Sequence, residues 1–291
     1  MLRAVAIIPA RFDSTRFPGK PLSSLKGKLL IQYVFEQVSS AKLIEAVFVA
    51  TDDKRIFDAV TGFGGKAVMT SSSHTCGTDR IAEAAKNIEC DIIINVQGDE
   101  PFIKSEMVDD TVRLLADDPR AAISTLVKKT ANIDEILSPH VVKVVMDNEG
   151  FALYFSRSPI PYYRDEWQMQ ITEYRPALSG VEGTQNTYNP PSPPFSKGGM
   201  GGFVCELITP NPELSTFFCY KHIGIYGFRK DVLINFSTMA QSSLEKIEKL
   251  EQLRALASGM KIKVKETMHD SFGIDTVEDL RKAEEWLSLS L

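Results

Sequence analysis

Arg11, Arg16 and Lys20 follow the short apolar run Val5–Ile8, on a loop punctuated by Pro9, Pro18, Gly19 and Pro21. The apolar run suits a buried strand. Three cations delivered at a strand's C-terminal end suit a polyphosphate, because guanidinium and ammonium groups give charge-assisted hydrogen bonds to phosphate oxygens. Gly19, beside Lys20, lets the backbone come close to a ligand. A merely solvated group of cations is the alternative. The density of Pro and Gly in a first strand-to-helix connection weighs against it. The loop is not a Walker sequence, since Pro21 follows Lys20 and no glycine stands at the required upstream position. Nor is it a G-x-G-x-x-G turn, so P-loop and dehydrogenase readings lose support.

A second candidate centre is Asn95-Val96-Gln97-Gly98-Asp99-Glu100-Pro101, which ends another apolar run. Asp99 would stand on the same sheet edge as the cationic loop. A carboxylate there suits Mg2+, which takes one or two carboxylates together with phosphate and water oxygens. Gly98-Asp99 could instead be a turn that caps the next helix. Gln97, Glu100-Pro101 and the cationic loop tip the reading toward metal. Near the C-terminus, Gly273-Ile274-Asp275-Thr276 leads into Val277-Glu278-Asp279-Leu280. Thr276 with Asp279 is helix-start chemistry. It leaves Asp275 unexplained and able to point into a cleft. Thr78, in Cys76-Gly77-Thr78-Asp79-Arg80, is a plausible cap of a helix whose N-terminus attracts anions.

These residues need strand ends to hold them. Strands are expected at Val5–Ile8, Ala46–Ala50, Ala67–Met69, Ile92–Val96 and Ala121–Val127, with helices at Ile31–Ser40, Lys54–Thr61, Thr78–Asn87 and Ser105–Ala116. Strands alternating with helices imply βαβ units and a mainly parallel sheet. Val141–Met146 and Phe151–Phe155 flank Asp147-Asn148-Glu149-Gly150, a hairpin signal that adds antiparallel strands. Later, Ile223–Phe228 and Ile262–Val264 read as strands, and Val277–Leu287 as a final helix. Leu244–Ala257 reads as one amphipathic helix with Leu244, Ile247, Leu250 and Leu253 as its apolar stripe. On that reading Glu251 and Gln252 lie on a solvated face. The segment 176–216 is dominated by Pro, Gly and Ser, as in Asn189-Pro190-Pro191-Ser192-Pro193-Pro194. Such composition resists a packed core, so a disordered, dispensable insertion is expected there.

The pattern Pro9-Ala10-Arg11 through Ser14-Thr15-Arg16 to Pro18-Gly19-Lys20-Pro21-Leu22 resembles the signature loop of the sugar nucleotidyltransferases. Further matches follow in order: Gln97-Gly98-Asp99-Glu100-Pro101, Tyr154-Phe155-Ser156-Arg157, His222-Ile223-Gly224-Ile225-Tyr226, Leu250-Glu251-Gln252-Leu253-Arg254 and Gly273-Ile274-Asp275-Thr276. The segments at Tyr154–Arg157, His222–Tyr226 and Leu250–Arg254 favour the branch that activates the sugar acid 3-deoxy-D-manno-octulosonate (Kdo) over the branch that activates sialic acid. The resemblance implies a Rossmann-like α/β fold with a mainly parallel, mixed sheet flanked by helices. A smaller antiparallel sugar-binding and dimerisation portion would join it. It implies one domain, with a nucleotide portion at 1–130, a sugar portion at 131–260 and a returning strand and helix at 261–291. It also implies transfer of CMP from CTP to Kdo, with Mg2+ as cofactor and a homodimer as the working form. By the same resemblance Ala10, Arg11, Arg16, Lys20, Thr78, Arg80 and Gln97 meet the nucleotide, and Asp99 and Asp275 hold the metal. Arg11, Lys20, Asp99 and Asp275 carry the chemistry. Arg157, His222, Tyr226, Glu251 and Gln252 surround the sugar. Cys76 and Asp79 depart from the family's Ser-Gly-Thr-Glu-Arg.

The whole chain fits that picture. Its 291 residues are 43% hydrophobic and 24% charged, with a formal net charge of -5. A general affinity for nucleic acid or anionic membrane is not expected from that balance, so an anion site must be a local cationic pocket. No apolar run has transmembrane length. The N-terminal apolar stretch is too short for a signal peptide, and a cytoplasmic protein is expected. Cys76, Cys90, Cys205 and Cys219 form no C-x-x-C pair, and His74, His140, His222 and His269 show no zinc spacing. Free, mostly buried thiols are expected.

Overall fold

The computed structural model describes residues 2–13, 17–74, 76–164 and 217–289. The expected insertion, Arg16 and Cys205 lie outside them.

Seven strands of one mixed, nine-stranded sheet run in the order β11-β7-β10-β6-β1-β4-β5. The strands are β1 (Ala4–Ala10), β4 (Ala46–Thr51), β5 (Lys66–Met69), β6 (Ile92–Val96), β7 (Ile123–Thr130), β10 (Cys219–Arg229) and β11 (Ile262–Glu266). A small separate ribbon joins β2 (Ser24–Leu25) to β3 (Lys28–Leu29). β1 is parallel to both β4 and β6. The chain winds outward from β1 through β4 to β5, then returns to add β6 on the other side. The ends of β1 and β6 therefore diverge at a topological switch point, where open α/β sheets bind ligands.

Alternation along β1 explains why helices cover both faces. Ala4, Ala6, Ile8 and Ala10 pack into one core with Ile31, Val34 and Met107. Those partners come from α1 (Leu30–Ser39) and α4 (Ser105–Asp117). Val5 and Ile7 pack into the opposite core with Ile81, Ala82 and Leu233. Their partners lie on α3 (Gly77–Ala85) and on the helix Lys230–Thr238. α2 (Lys54–Gly62) fills the first face.

The hairpin forms as expected. β8 (Lys143–Met146) pairs with β9 (Ala152–Ser156), and β8 also pairs with β10. Asp147 Oδ1 closes the turn by accepting from the backbone of Glu149 and Phe151 at 2.9 and 2.8 Å. Antiparallel strands thus extend the main sheet. The described residues 161–164 and Phe217 belong to a separate unit, where the rings of Tyr163 and Phe217 lie 4.7 Å apart at a tilt of 53°.

The single helix expected over Leu244–Ala257 is two. α7 (Ser243–Glu248) starts on a reciprocal capping box between Ser242 and Glu245 and stops at Lys249, which adopts a left-handed conformation at φ 55°. α8 (Gln252–Ala257) then begins in a new direction. The apolar stripe does not hold together. Leu250 and Leu253 are buried, but Leu244 is 44% exposed and Ile247 76%. A left-handed lysine costs roughly 1–2 kcal/mol, offset by the box at about 1 kcal/mol and by the side-chain bonds that the break permits.

Candidate active site

β1 ends at Ala10, and the loop that follows brings Arg11, Asp13, Lys20 and Pro21 to the switch point. With Gln97, Gly98 and Asp99 from the end of β6 and Gly77 from α3, they line a cavity of ≈ 380 Å³. Gly19 takes φ 71°, a left-handed turn that glycine alone adopts without strain, and starts the 3-10 turn Lys20–Leu22. Lys20 therefore points back across the cavity. Its Nζ donates to Asp99 Oδ2 at 2.5 Å and to Asp275 Oδ1 at 3.2 Å. Two carboxylates from opposite ends of the chain thus converge on one cation. Arg11 keeps its Nη2 buried with no hydrogen-bond partner. A buried guanidinium nitrogen without an acceptor is costly, and a phosphate oxygen in the adjoining cavity would relieve it.

The loop carrying Asp275 is stitched to the turn carrying Asp99. Ile274 N donates to the backbone oxygen of Asp99 at 2.9 Å, and Ser271 Oγ donates to Glu100 Oε2 at 2.9 Å. Thr276 caps the last helix, as expected, by a reciprocal bond with Asp279. Asp275 is left out of that cap as an acceptor and serves Lys20. Gln97 lines the cavity and bonds Asn95 Oδ1 at 3.1 Å. Ala10 lines it too.

A second cluster lies where α3 meets β10 and α8. Thr78, Tyr226, Glu251 and Gln252 line one small cavity there with Phe228 and Phe236. The break at Lys249 is what turns Glu251 inward. Its carboxylate accepts from Thr78 Oγ1 at 2.6 Å, from Cys76 Sγ at 3.4 Å and from Arg254 Nη2 at 3.0 Å. Burial raises the Glu251 carboxyl above its ordinary value against those bonds. Cys76, not Thr78, caps α3, accepting from Asp79 N at 3.4 Å. Burial and the Glu251 charge push the Cys76 thiol up to about 12.

β10 carries a bulge between Ile223 and Tyr226. Thr125 fills it, donating to the Ile225 carbonyl at 2.7 Å and meeting His222 Nε2 at 2.8 Å. The rings of His222 and Tyr226 lie 5.0 Å apart. Burial pushes His222 down to about 3, so the ring is neutral, and keeps the Tyr226 phenol protonated well above its usual range. At Gly224 a Cβ would stand 2.4 Å from Glu100 Oε1, so only glycine leaves that carboxyl its place. Burial, then the charge of Asp99, pushes Glu100 up to about 7.

Arg80 and Arg157, both expected site residues, commit their side chains to structural partners. Arg80 is fully buried and donates to Thr70 Oγ1 at 2.6 Å and Asp52 Oδ2 at 2.8 Å. Arg157 spends Nε on the Glu248 carbonyl and Nη1 on the Pro139 carbonyl, both at 2.8 Å. Its backbone is pinned as well, with Arg157 N donating to Glu248 Oε2 and the carbonyl accepting from the buried Lys143. Asp13, Lys143 and Glu248 have no role in the sequence reading, and Glu100 enters it only as a neighbour that tips Asp99 toward metal. For Glu100 the signal was available, beside Asp99 and opposite the glycine of His222-Ile223-Gly224. Glu248 looks like one more solvated helix charge until the break at Lys249 is known.

The sequence profile of the family described as cytidylyltransferase matches residues 5–262. The chain is 45% identical over 286 residues to the 3-deoxy-manno-octulosonate cytidylyltransferase of Geobacter sulfurreducens, covering 98% of this chain and 100% of that one. It is 47% identical over 292 residues to the enzyme of the same name from Thermodesulfovibrio yellowstonii, covering 98% of each. Among solved structures, a CMP:2-keto-3-deoxy-manno-octonic acid synthetase complexed with CTP superposes with a TM-score of 0.80 at 36% identity. That match covers 99% of this chain and 100% of the other.

Proposed function

This chain belongs to the cytidylyltransferase family, and on that premise we propose that it transfers CMP from CTP to Kdo, releasing pyrophosphate and activating the sugar for lipopolysaccharide biosynthesis. The observation that carries the reading is the convergence of Asp99 and Asp275 on the Lys20 ammonium, beside Arg11, whose buried Nη2 has no partner among the described residues. The choice of sugar rests on near-full-length likeness to enzymes named for Kdo.

In the reaction the anomeric hydroxyl oxygen of the sugar attacks the α-phosphorus in line. A new bond forms from the sugar oxygen to the α-phosphorus, the bond from that phosphorus to the α–β bridging oxygen breaks so that pyrophosphate leaves with the oxygen, and the hydroxyl proton passes to water. Charge is concentrated on the phosphates throughout, so positioning and fixed opposite charge do most of the work. Arg11 and Lys20 hold the triphosphate and the departing pyrophosphate. Arg16 would share that task. Asp99 and Asp275 offer the oxygen donors that suit Mg2+. When bound, that ion would lower the pKa of the attacking hydroxyl and offset phosphate charge. The neutral His222 and Tyr226, with Gln252 and the Arg254-paired Glu251, present a buried, hydrogen-bonding wall to the sugar's hydroxyls. Among the described residues no helix is long and apolar enough to cross a membrane. A cytoplasmic homodimer is part of the same reading.

The test is pyrophosphate release with CTP and a panel of sugar acids. Turnover with Kdo and not with sialic acid is expected. Turnover with sialic acid alone would move the chain to the neighbouring branch, and none with any acid would favour a nucleotide-binding module without catalysis.

A further inference from the structure

A third, small apolar core lies apart from the two sheet faces, and it gathers the three segments that carry Lys20, Asp99 and Asp275. Leu25 and Leu30 follow the Lys20 turn, Phe102 follows Asp99, and Ile274 precedes Asp275; all four are buried together with Ala283 of α9 (Val277–Leu289). At its rim the Phe102 ring sits 4.5 Å from Phe272 and 4.5 Å from Trp286. Phe272 belongs to the Asp275 loop and Trp286 to α9. The rest of that loop is pinned on alternate sides. Asp270 pairs with Lys128 and Lys221, Ser271 bonds Glu100, and Ile274 N bonds the Asp99 carbonyl.

We propose that the Phe102–Phe272–Trp286 clasp fixes Asp275 against Asp99, making Phe272 and Trp286 positioning residues for the divalent cation. This rests on the reading above, that the two carboxylates hold such an ion. The physical reason is that aromatic pairs prefer defined offset or edge geometries, so the clasp fixes an orientation as well as a distance. Asp275 is 48% exposed on its side chain and has no helix or strand of its own to hold it. Lys20 holds its carboxylate here at 3.2 Å, and where a divalent cation takes that bond's place, the clasp would keep the loop against Asp99. Phe272 and Trp286 are themselves 38% and 43% exposed, so truncating either leaves the sheet cores intact.

The experiment is Mn2+ binding followed by electron paramagnetic resonance in the presence of CTP, on full-length wild type, Trp286→Ala, Trp286→Phe and Phe272→Ala. Thermal midpoints and metal-free CTP affinity are measured alongside. Mn2+ affinity should fall on the order of tenfold in both alanine variants, as it does when groups supporting metal ligands are removed. Trp286→Phe should restore it, and metal-free CTP affinity should stay unchanged. Should Trp286→Ala not fold, Phe272→Ala decides. Unchanged Mn2+ affinity in a folded alanine variant would overturn the clasp. Wild type that binds no Mn2+ would overturn the metal reading beneath it, and the clasp with it.

Discussion

The two halves of the candidate site solve opposite electrostatic problems. At the switch point, charged groups stand partly open to solvent and incompletely satisfied. Lys20 bridges Asp99 and Asp275, and Arg11 holds a buried nitrogen without an acceptor. At the β10 bulge, the groups are desolvated and spent on one another. His222 meets Thr125 and is neutral, Tyr226 is protonated, and Glu251 is ringed by Thr78, Cys76 and Arg254. The first arrangement suits a ligand of concentrated charge. The second suits a ligand with many hydroxyls, since a wall of buried groups already bonded to one another selects by geometry.

If that contrast is right, substitutions at the two ends fail differently. The largest effect is expected at Asp99. Asp99→Asn should keep the fold and lower turnover on the order of 10²–10³-fold, the scale of losing one preorganised electrostatic contact. Asp275→Asn should fall in the same direction, and a Mg2+ titration of steady-state pyrophosphate release reads both. Near-normal turnover in Asp99→Asn at limiting Mg2+ would erase the contrast.

At the other end, losses should appear in acid sensitivity and stability. Burial sets the native His222 pKa near 3, against an ordinary value of 6.5. The unfolded chain therefore takes up a proton that the native state refuses. Stability present above about pH 6.5 is lost as pH falls toward 3, by up to a few kcal/mol at roughly 1.4 kcal/mol per unit. Urea unfolding of wild type and His222→Gln between pH 7 and pH 4 measures it, with the variant expected to lose less.

Glu248→Ala should cost about 1–3 kcal/mol in the same unfolding assay, because Ser156 Oγ and Arg157 N lose their acceptor. If Arg157 acts on the sugar through this scaffold, sugar affinity weakens in Glu248→Ala while CTP affinity holds. The smallest effect is expected for Cys76→Ser. Serine caps a helix well, and the change should stay within about 1 kcal/mol. Its thiol, pushed up to about 12, should also react slowly with iodoacetamide at pH 8 in the parent protein.

The same contrast separates what could be read in the sequence from what could not. The charged end was legible because each of its parts is contiguous. An apolar run, a punctuated loop and a Gly-Asp turn at a strand's end follow from local chemistry, and parallel pairing of β1 with β6 brings them together. The buried end depends on two local irregularities with weak sequence signals, the bulge between Ile223 and Tyr226 and the left-handed Lys249. Leu244, Ile247, Leu250 and Leu253 keep a helical period across that break, so periodicity alone joins two helices into one. Arg80 and Arg157 show a related limit. Residue type announces a cation, but only the fold reveals that Arg80 Nη1 and Nη2 are taken by Thr70 and Asp52, and Arg157 Nε and Nη1 by backbone carbonyls.

The central claim is that the switch-point end activates CTP while the buried end at the β10 bulge presents Kdo. Phosphorus NMR of the wild-type enzyme with CTP, Kdo and Mg2+ tests it most directly. The account predicts that the three CTP resonances give way to one phosphodiester signal and one pyrophosphate signal in equal amounts. Inorganic phosphate or free CMP without the diester, or an unchanged CTP spectrum, would contradict it.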